Sequence, residues 1–254
     1  MDQVLDLARD VVAADRVVAL TGAGMSTASG IPDFRGDSGI WKRHDPDDFH
    51  VDRFRTDPGS FWRDRVRLHE TMYGDGEIEP NAAHDALADL AAADHLDAIV
   101  TQNTDGLHAA AERAELVELH GNAHRAVCTS CGRRVDAAPV RERVRGGEVP
   151  PRCASCDGLL KPAVVLFGER LPPTDLARAR QLAQASDVFL AIGSSLTVEP
   201  AASLPWTAAD RGATLAIVNL DATPHSATAA YDVRGDVTEV LPRLHDAVAD
   251  HDAA

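Results

Sequence analysis

The chain has 254 residues, 44% of them hydrophobic, which is enough for one large domain or a large and a small one around a substantial core. Its formal net charge of −15 argues against a nucleic-acid surface, which would need Lys and Arg over phosphates. Its longest apolar stretches, such as VFLAI at 188–192, are too short to cross a bilayer.

The first residues, MDQVLDLARD, read as an amphipathic helix and not as a signal peptide, because no apolar stretch follows a basic start. Nothing directs export, so a cytoplasmic location is expected. RVVALTGAG (16–24) is a buried-strand run ending in a glycine loop, and MSTASG then looks like a short helix start. Residues 31–80 are an excursion dense in Pro, Asp, Trp, Phe and His, with short helices that include one around Gly59–Met72. NAAHDALADLAAA (81–93) is a helix with Asn81 as N-cap after Pro80. DAIVTQN (97–103) and LVELHG (116–121) are strands, and residues 124–160 break the pattern again.

After Lys161 the alternation returns. AVVLFG (163–168) is strand-like, PTDLARARQLAQA (173–185) a helix, DVFLAIGS (187–194) a strand and PAASLPWTAADRG (200–212) a Pro-interrupted helix. TLAIVNLD (214–221) is a strand and VTEVLPRLHDAVAD (237–250) a closing helix. Strands alternating with helices predict an α/β fold with a mainly parallel, doubly wound sheet. The irregular segments 39–77 and 124–159 then form a separate smaller lobe.

The four cysteines read Cys128-x2-Cys131-x21-Cys153-x2-Cys156. Two CxxC knuckles across a β-rich spacer suit one tetrahedral zinc ion, and cytoplasmic cysteines are more often ligands than disulfides. Four unrelated buried thiols are the alternative. A four-sulfur site is closed, so such a zinc is structural. VALTGAGMSTASG (18–30) has the strand–glycine–helix order that cradles a pyrophosphate, but Thr27 stands where GxGxxG would have its third glycine. A plain tight turn explains it equally. TQNTDGLH (101–108) starts at a predicted strand end and offers Gln102, Asn103, Asp105 and His108, or else is a turn capped by Asp105. GSSL (193–196) and VNLD (218–221) also follow strands, and together these four loops make one crevice.

GAGMSTASGIPDFRG, TQNTDGLH, ELHGN, the paired CxxC knuckles, VVLFGE, GSSLTVEP and VNLDATP, in this order, resemble the sirtuin family of NAD-dependent protein deacylases over nearly the whole chain. The resemblance implies a Rossmann-like NAD-binding domain (1–38, 78–123 and 160–254) and a small lobe made of a helical module (39–77) and a zinc-ribbon module (124–159). It implies NAD, one structural Zn2+ and an acetyl-lysine protein bound as an extended strand. Its catalytic residues would be His120, as general base toward a ribose hydroxyl, and Asn103. Gly22, Ala23, Gly24, Thr27, Asp33 and Arg35 would face the NAD phosphates and ribose, with Phe34 shielding the reactive C1′. Gln102 and Asn103 would hold the nicotinamide ribose, and Thr104 and Asp105 the carboxamide. Gly193, Ser194, Ser195, Asn219, Leu220 and Val237 would line the adenosine side. Val165, Phe167, Gly168 and Glu169 would bind substrate, with Val165 and Phe167 flanking the acyl-lysine. His124 is read as an exposed bystander and His108 as structural.

Two departures, at three positions, stand out against the family pattern. Thr104 stands where an isoleucine or valine is usual. Arg65 and Leu68 stand where members that remove acidic acyl groups carry Tyr and Arg, so acetyl or another neutral acyl group is expected. The activity implied is NAD-dependent lysine deacetylation, in which the acetyl group passes to ADP-ribose and nicotinamide is released. A protein mono-ADP-ribosyltransferase and a non-catalytic zinc-ribbon or nucleotide-binding module are the competing readings. No nucleic acid or membrane partner is expected, and a monomer is the default. Lys42 and Lys161 are the only lysines among 25 Lys and Arg residues. That bias points to a salt-adapted proteome, or more plainly to a GC-rich genome.

Overall fold

The computed structural model describes residues 2–34, 39–74 and 78–253. Nine strands form two sheets among these residues. The larger is entirely parallel and contains β1 (Val17–Thr21), β2 (Ala98–Thr101), β3 (Glu115–Glu118), β7 (Val188–Ile192), β8 (Thr214–Asn219) and β9 (Tyr231–Arg234). Their order is β3-β2-β1-β7-β8-β9. The chain thus builds outward from β1 in one direction, then returns to build in the other. The gap between β1 and β7 is the topological switch point, where ligands bind at the carboxyl ends of such sheets.

Side-chain alternation explains why the central strands are apolar throughout. Val17 and Ala19 of β1 face a core made with α1 (Gln3–Ala13), α4 (Ala82–Ala92) and α8 (Val237–Asp252). Val18 and Leu20 face the opposite core with α6 (Pro173–Ala185) and α7 (Leu204–Ala209). Every second residue meets a different layer, as a strand covered on both faces requires. Helix starts follow their caps: Asp2, Asn81 and Asp236 each accept a hydrogen bond from a backbone N–H in the first turn of α1, α4 and α8.

The smaller sheet is antiparallel, with order β5-β4-β6, from β4 (Gly121–Cys128), β5 (Arg134–Asp136) and β6 (Leu160–Val164). It packs on α2 (Val51–Thr56), α3 (Pro58–Tyr73) and α5 (Ala137–Arg145). Phe54, Phe61, Trp62 and Val66 share one core with Ala126, Val140, Leu160 and Val164. The Trp62 indole N–H donates to the Leu160 carbonyl at 2.8 Å, so this buried ring is both packed and satisfied. The helical and cysteine-bearing segments are therefore one hydrophobic unit.

Three local expectations are corrected, and one element is added. The MSTASG stretch forms two short 3-10 turns, Ala23–Met25 and Thr27–Ser29, and no α-helix. The apolar run 163–168 is not a strand along its length: β6 ends at Val164. The spacer between the knuckles contains the helix α5 as well as β structure. The edge strand β9 falls between 221 and 237, where the sequence reading assigns no element.

Candidate active site

The two sheets meet at Leu119 and His120, the two residues between β3 and β4. Leu119 N–H still pairs with the large sheet, at Thr101 O (3.0 Å), while His120 O already accepts from Val165 N–H (2.9 Å) in the small lobe. His120 is thus placed where the lobes face each other, on a cleft of about 980 Å³. That volume lies at the upper end of the range for small-molecule sites.

Strand ends supply the cleft's large-sheet wall. Gly22 and Gly24 follow β1, and their N–H groups donate to Ile192 O (3.0 Å) and Gly193 O (2.8 Å). A Cβ on Gly22 would lie 2.7 Å from Ser194 Cβ, and one on Gly24 would lie 2.9 Å from Gly193 O. Gly193 has φ +58, and a Cβ there would stand 2.4 Å from Met25 N. Two backbones touch at the switch point, and only glycine lets them. The 3-10 turn that starts at Ala23 has no side-chain cap. Gly24, Met25 and Ser26 N–H are taken by Gly193 O, Gly22 O and Ala23 O, so the Ala23 amide is the turn's donor toward a phosphate.

Next to this loop, Asn103 is held from three sides. Its N–H donates to Thr101 Oγ1 (3.0 Å), and its side-chain amide donates to Gly22 O (3.0 Å) and Ser26 Oγ (3.2 Å). Gln102 donates from Nε2 to Ser194 Oγ at 3.0 Å, linking the loops after β2 and β7. Asp105 accepts from Ser26 Oγ at 2.8 Å and from Leu107 N–H at 3.0 Å. Both its oxygens are engaged, so it fixes the loop, although the following 3-10 turn (Leu107–Ala110) has Gly106 and not Asp105 as its N-cap. It borders a side recess with Thr104, Phe34 and Tyr73 and does not line the main cleft.

His120 presents one defined nitrogen. Nδ1 lies 2.9 Å from Gln102 O, which can only accept, so Nδ1 carries the proton and Nε2 keeps its lone pair. Burial pushes the imidazole below its usual 6.5, and the bond to Gln102 O opposes that shift. A neutral imidazole is the state a general base needs. His108 is a contrast. It is buried under the loop, with Nε2 2.8 Å from Thr21 Oγ1, and burial with the neighbouring His84 pushes it down to about 3. His124 is exposed as expected, yet it is no bystander: Nε2 lies 2.7 Å from Asp105 O.

Of the residues the sequence singled out, Gly22, Ala23, Gly24, Thr27, Asp33, Phe34, Gln102, Asn103, Thr104, His120, Gly193, Ser194, Ser195, Asn219 and Leu220 line the one cleft. Val165, Phe167, Gly168 and Glu169 line it from the small lobe. Val237 is buried at the start of α8 and does not line it. Arg35 lies outside the described residues. The sequence reading missed Trp41, whose ring sits 5.5 Å from Phe34 and 5.3 Å from Phe167. It joins the lid-like Phe34 to the substrate side, a long-range contact with no local signal beyond aromatic density.

The four cysteine sulfurs lie within 4.8 Å of one another, with Cys128–Cys156 at 3.4 Å and Cys131–Cys153 at 3.8 Å. Tetrahedral zinc with bonds of about 2.3 Å sets its sulfurs about 3.8 Å apart, so donor type and spacing both fit. The four thiolates would fill the coordination sphere, and the ion is structural.

The Sir2 family profile matches residues 22–200. The chain belongs to the Sir2 family. It is 56% identical over 232 residues to an NAD-dependent protein deacetylase of Haloarcula marismortui, covering 91% of this chain and 89% of that one. A solved Sir2 structure with a p53 peptide and NAD+ superposes with TM-score 0.83 at 34% identity, covering 100% of this chain and 99% of that one. A Sir2 variant with deacetylated p53 peptide and 3'-O-acetyl ADP-ribose superposes with TM-score 0.85 at 34% identity, over 95% and 96% of the two chains. Within the Sir2 frame, the observed cleft lies between the parallel sheet and the small lobe.

Proposed function

We infer that this chain is an NAD-dependent protein lysine deacetylase. The observation that carries the reading is His120, held in the Nε2-acceptor tautomer by Gln102 O on a cleft whose opposite wall is the glycine crossing of Gly22, Gly24 and Gly193. Bound NAD would supply a ribose carbon open to the acyl oxygen, with nicotinamide as its leaving group. The Ala23 amide, with Thr27 and Asn219, would hold its phosphates and ribose. Arg35 belongs to the same reading. Phe34, stacked on Trp41, excludes water from the reacting carbon. Asn103 and Gln102 orient the nicotinamide ribose, and Thr104 with Asp105 shapes the carboxamide pocket. His120 Nε2 then takes a ribose hydroxyl proton. Val237 is assigned to the adenosine side only indirectly, through its place at the start of α8.

The peptide lies along 165–169 with its acyl-lysine between Val165 and Phe167. Phe167 is 40% exposed and free to meet it. A neutral acyl group fits best: Leu68 is a buried apolar wall, and Arg65 alone does not supply the Tyr and Arg pair. The domain division at 1–38, 78–123 and 160–254 against 39–77 and 124–159 is kept with one change, 160–169 joining the small lobe through β6 and Leu166; a monomeric state and a cytoplasmic location complete the reading. Among the described residues no helix is long and apolar enough to cross a membrane.

The test is nicotinamide release and peptide mass followed together, with NAD and an acetyl-lysine peptide. Release in step with acetyl loss supports the deacetylase. Nicotinamide release with acetyl retained and ADP-ribose mass on protein would replace it by the transferase. No reaction in folded, zinc-loaded protein would favour the binding module.

A further inference from the structure

Lysine is nearly absent from this chain, so its two occurrences stand out. Lys161 lies in β6 with its side chain 15% exposed, and its ammonium meets oxygens from both ends of the substrate segment. Nζ donates to Val164 O at 2.7 Å and to Glu169 Oε2 at 2.9 Å. The same Glu169 oxygen accepts from Leu166 N–H at 2.8 Å, and Glu169 N–H donates back to Leu166 O at 3.0 Å. Glu169 therefore satisfies both backbone groups of Leu166, closing a small turn that the positive φ of Gly168 (+79) permits. All three of Val165, Leu166 and Phe167 border the cleft, but Leu166 is buried in the small-lobe core while Val165 and Phe167 are more open to it.

We propose that Lys161 and Glu169 are positioning residues that preset the 165–169 segment for the peptide. Neither needs to touch substrate: Glu169, expected from the sequence to bind it, spends its carboxylate on Leu166 N–H and Lys161 instead. Glu169 locks the inward residue, Leu166, and Lys161 ties that lock to the end of β6. The flanking residues, Val165 and Phe167, are thereby turned toward the cleft. Without the lock the segment must be ordered when the peptide arrives, which weakens binding and leaves the NAD side alone. A compact ammonium converging on a carbonyl and a carboxylate is a geometry that arginine's planar fork does not copy. That accounts for a lysine in a chain that otherwise uses arginine.

The proposal rests on the assignment of 165–169 to the peptide, and the experiment separates the two. Steady-state kinetics with the full chain would compare Lys161→Met, Glu169→Gln, the double variant, Lys161→Arg and Phe167→Ala. Zinc content and melting temperature are measured on each. Lys161→Met and Glu169→Gln should each raise peptide KM about tenfold, with NAD KM and zinc content unchanged. The double variant should be no worse than the poorer single one, because the two groups act as a unit. Lys161→Arg should fall between wild type and Lys161→Met. If Phe167→Ala raises peptide KM but Glu169→Gln leaves it within about twofold, the lock is irrelevant and the proposal falls. A double variant whose effect multiplies the two singles overturns it too, as does a parallel rise in NAD KM with lost melting temperature. If Phe167→Ala also leaves peptide KM unchanged, the peptide assignment itself fails and takes the proposal with it.

Discussion

Within thirteen residues, 119–131, the chain builds two sites of opposite character. At Cys128 and Cys131 every donor atom turns toward a common centre and the sphere is closed. At His120 one ring nitrogen is tied down and the other is left with an unshared pair. The first arrangement stores folding energy, and the second keeps reactivity available. Their separation teaches that the knuckles support the catalytic edge through β4 and β6 and take no part in the chemistry.

Metal removal breaks this comparison most severely. Stripping the zinc with a chelator, or Cys128→Ser, should abolish ordered small-lobe structure and with it all deacetylation, since such ions contribute folding energy outright. Zinc stoichiometry, circular dichroism and activity check this together. Activity that survives complete zinc loss would show that the lobe stands without its ion. His120→Ala gives the converse. It should lower kcat by about 10²–10⁴-fold while zinc content and melting temperature stay at wild-type values.

Smaller effects sharpen the contrast. Gly193→Ala puts a side chain at a positive φ against Met25 N and should cost about 1–3 kcal/mol in urea unfolding, with weaker NAD binding. His108 and His120 should also separate by pH. The folded-state value of His108, about 3, lies below its usual 6.5, so the unfolded chain takes up the proton first as the pH falls. Stability is unaffected above pH 6.5, declines below it, and is down by about 2 kcal/mol at pH 5 from this group. A urea midpoint that is the same at pH 7 and pH 5 would contradict this. His120, also lowered, should keep its base form below pH 6.5, so the acid limb of kcat/KM should lie on that side. An acid limb above 6.5 would contradict it.

Much of the architecture was legible because its physics is local. The unbroken apolar runs of β1 and β7 mark strands covered on both faces, and Asn81 marks the start of α4 by capping it. The two CxxC knuckles announce their shared centre through spacing alone. What escaped depends on partners distant in sequence. Residues 163–168 look like a strand, but Glu169 and Val51 satisfy groups of the segment that a strand neighbour would otherwise take. Helix α5 is short and arginine-rich, and only Ala137, Val140 and Val144 are buried in it. The MSTASG turns stay short because Gly30 adopts a left-handed conformation right after them. At the site, most motif residues line the cleft, Asp105 and Val237 do not, and Trp41 and the hydrogen bond between His124 and Asp105 could be seen only after folding.

The contact between α2 and the substrate segment carries a mechanical consequence. Val51 N–H donates to Phe167 O at 2.9 Å, and a Cβ on Gly168 would come within 2.3 Å of the His50 ring. With no slack there, the helical part of the small lobe and the peptide-facing edge travel as a single jaw. Phe34 and Trp41, on the nucleotide side, rest against that jaw through Phe167. A coupling between the two substrates, were it to run through the Phe34–Trp41–Phe167 contacts, would by linkage act equally in both directions.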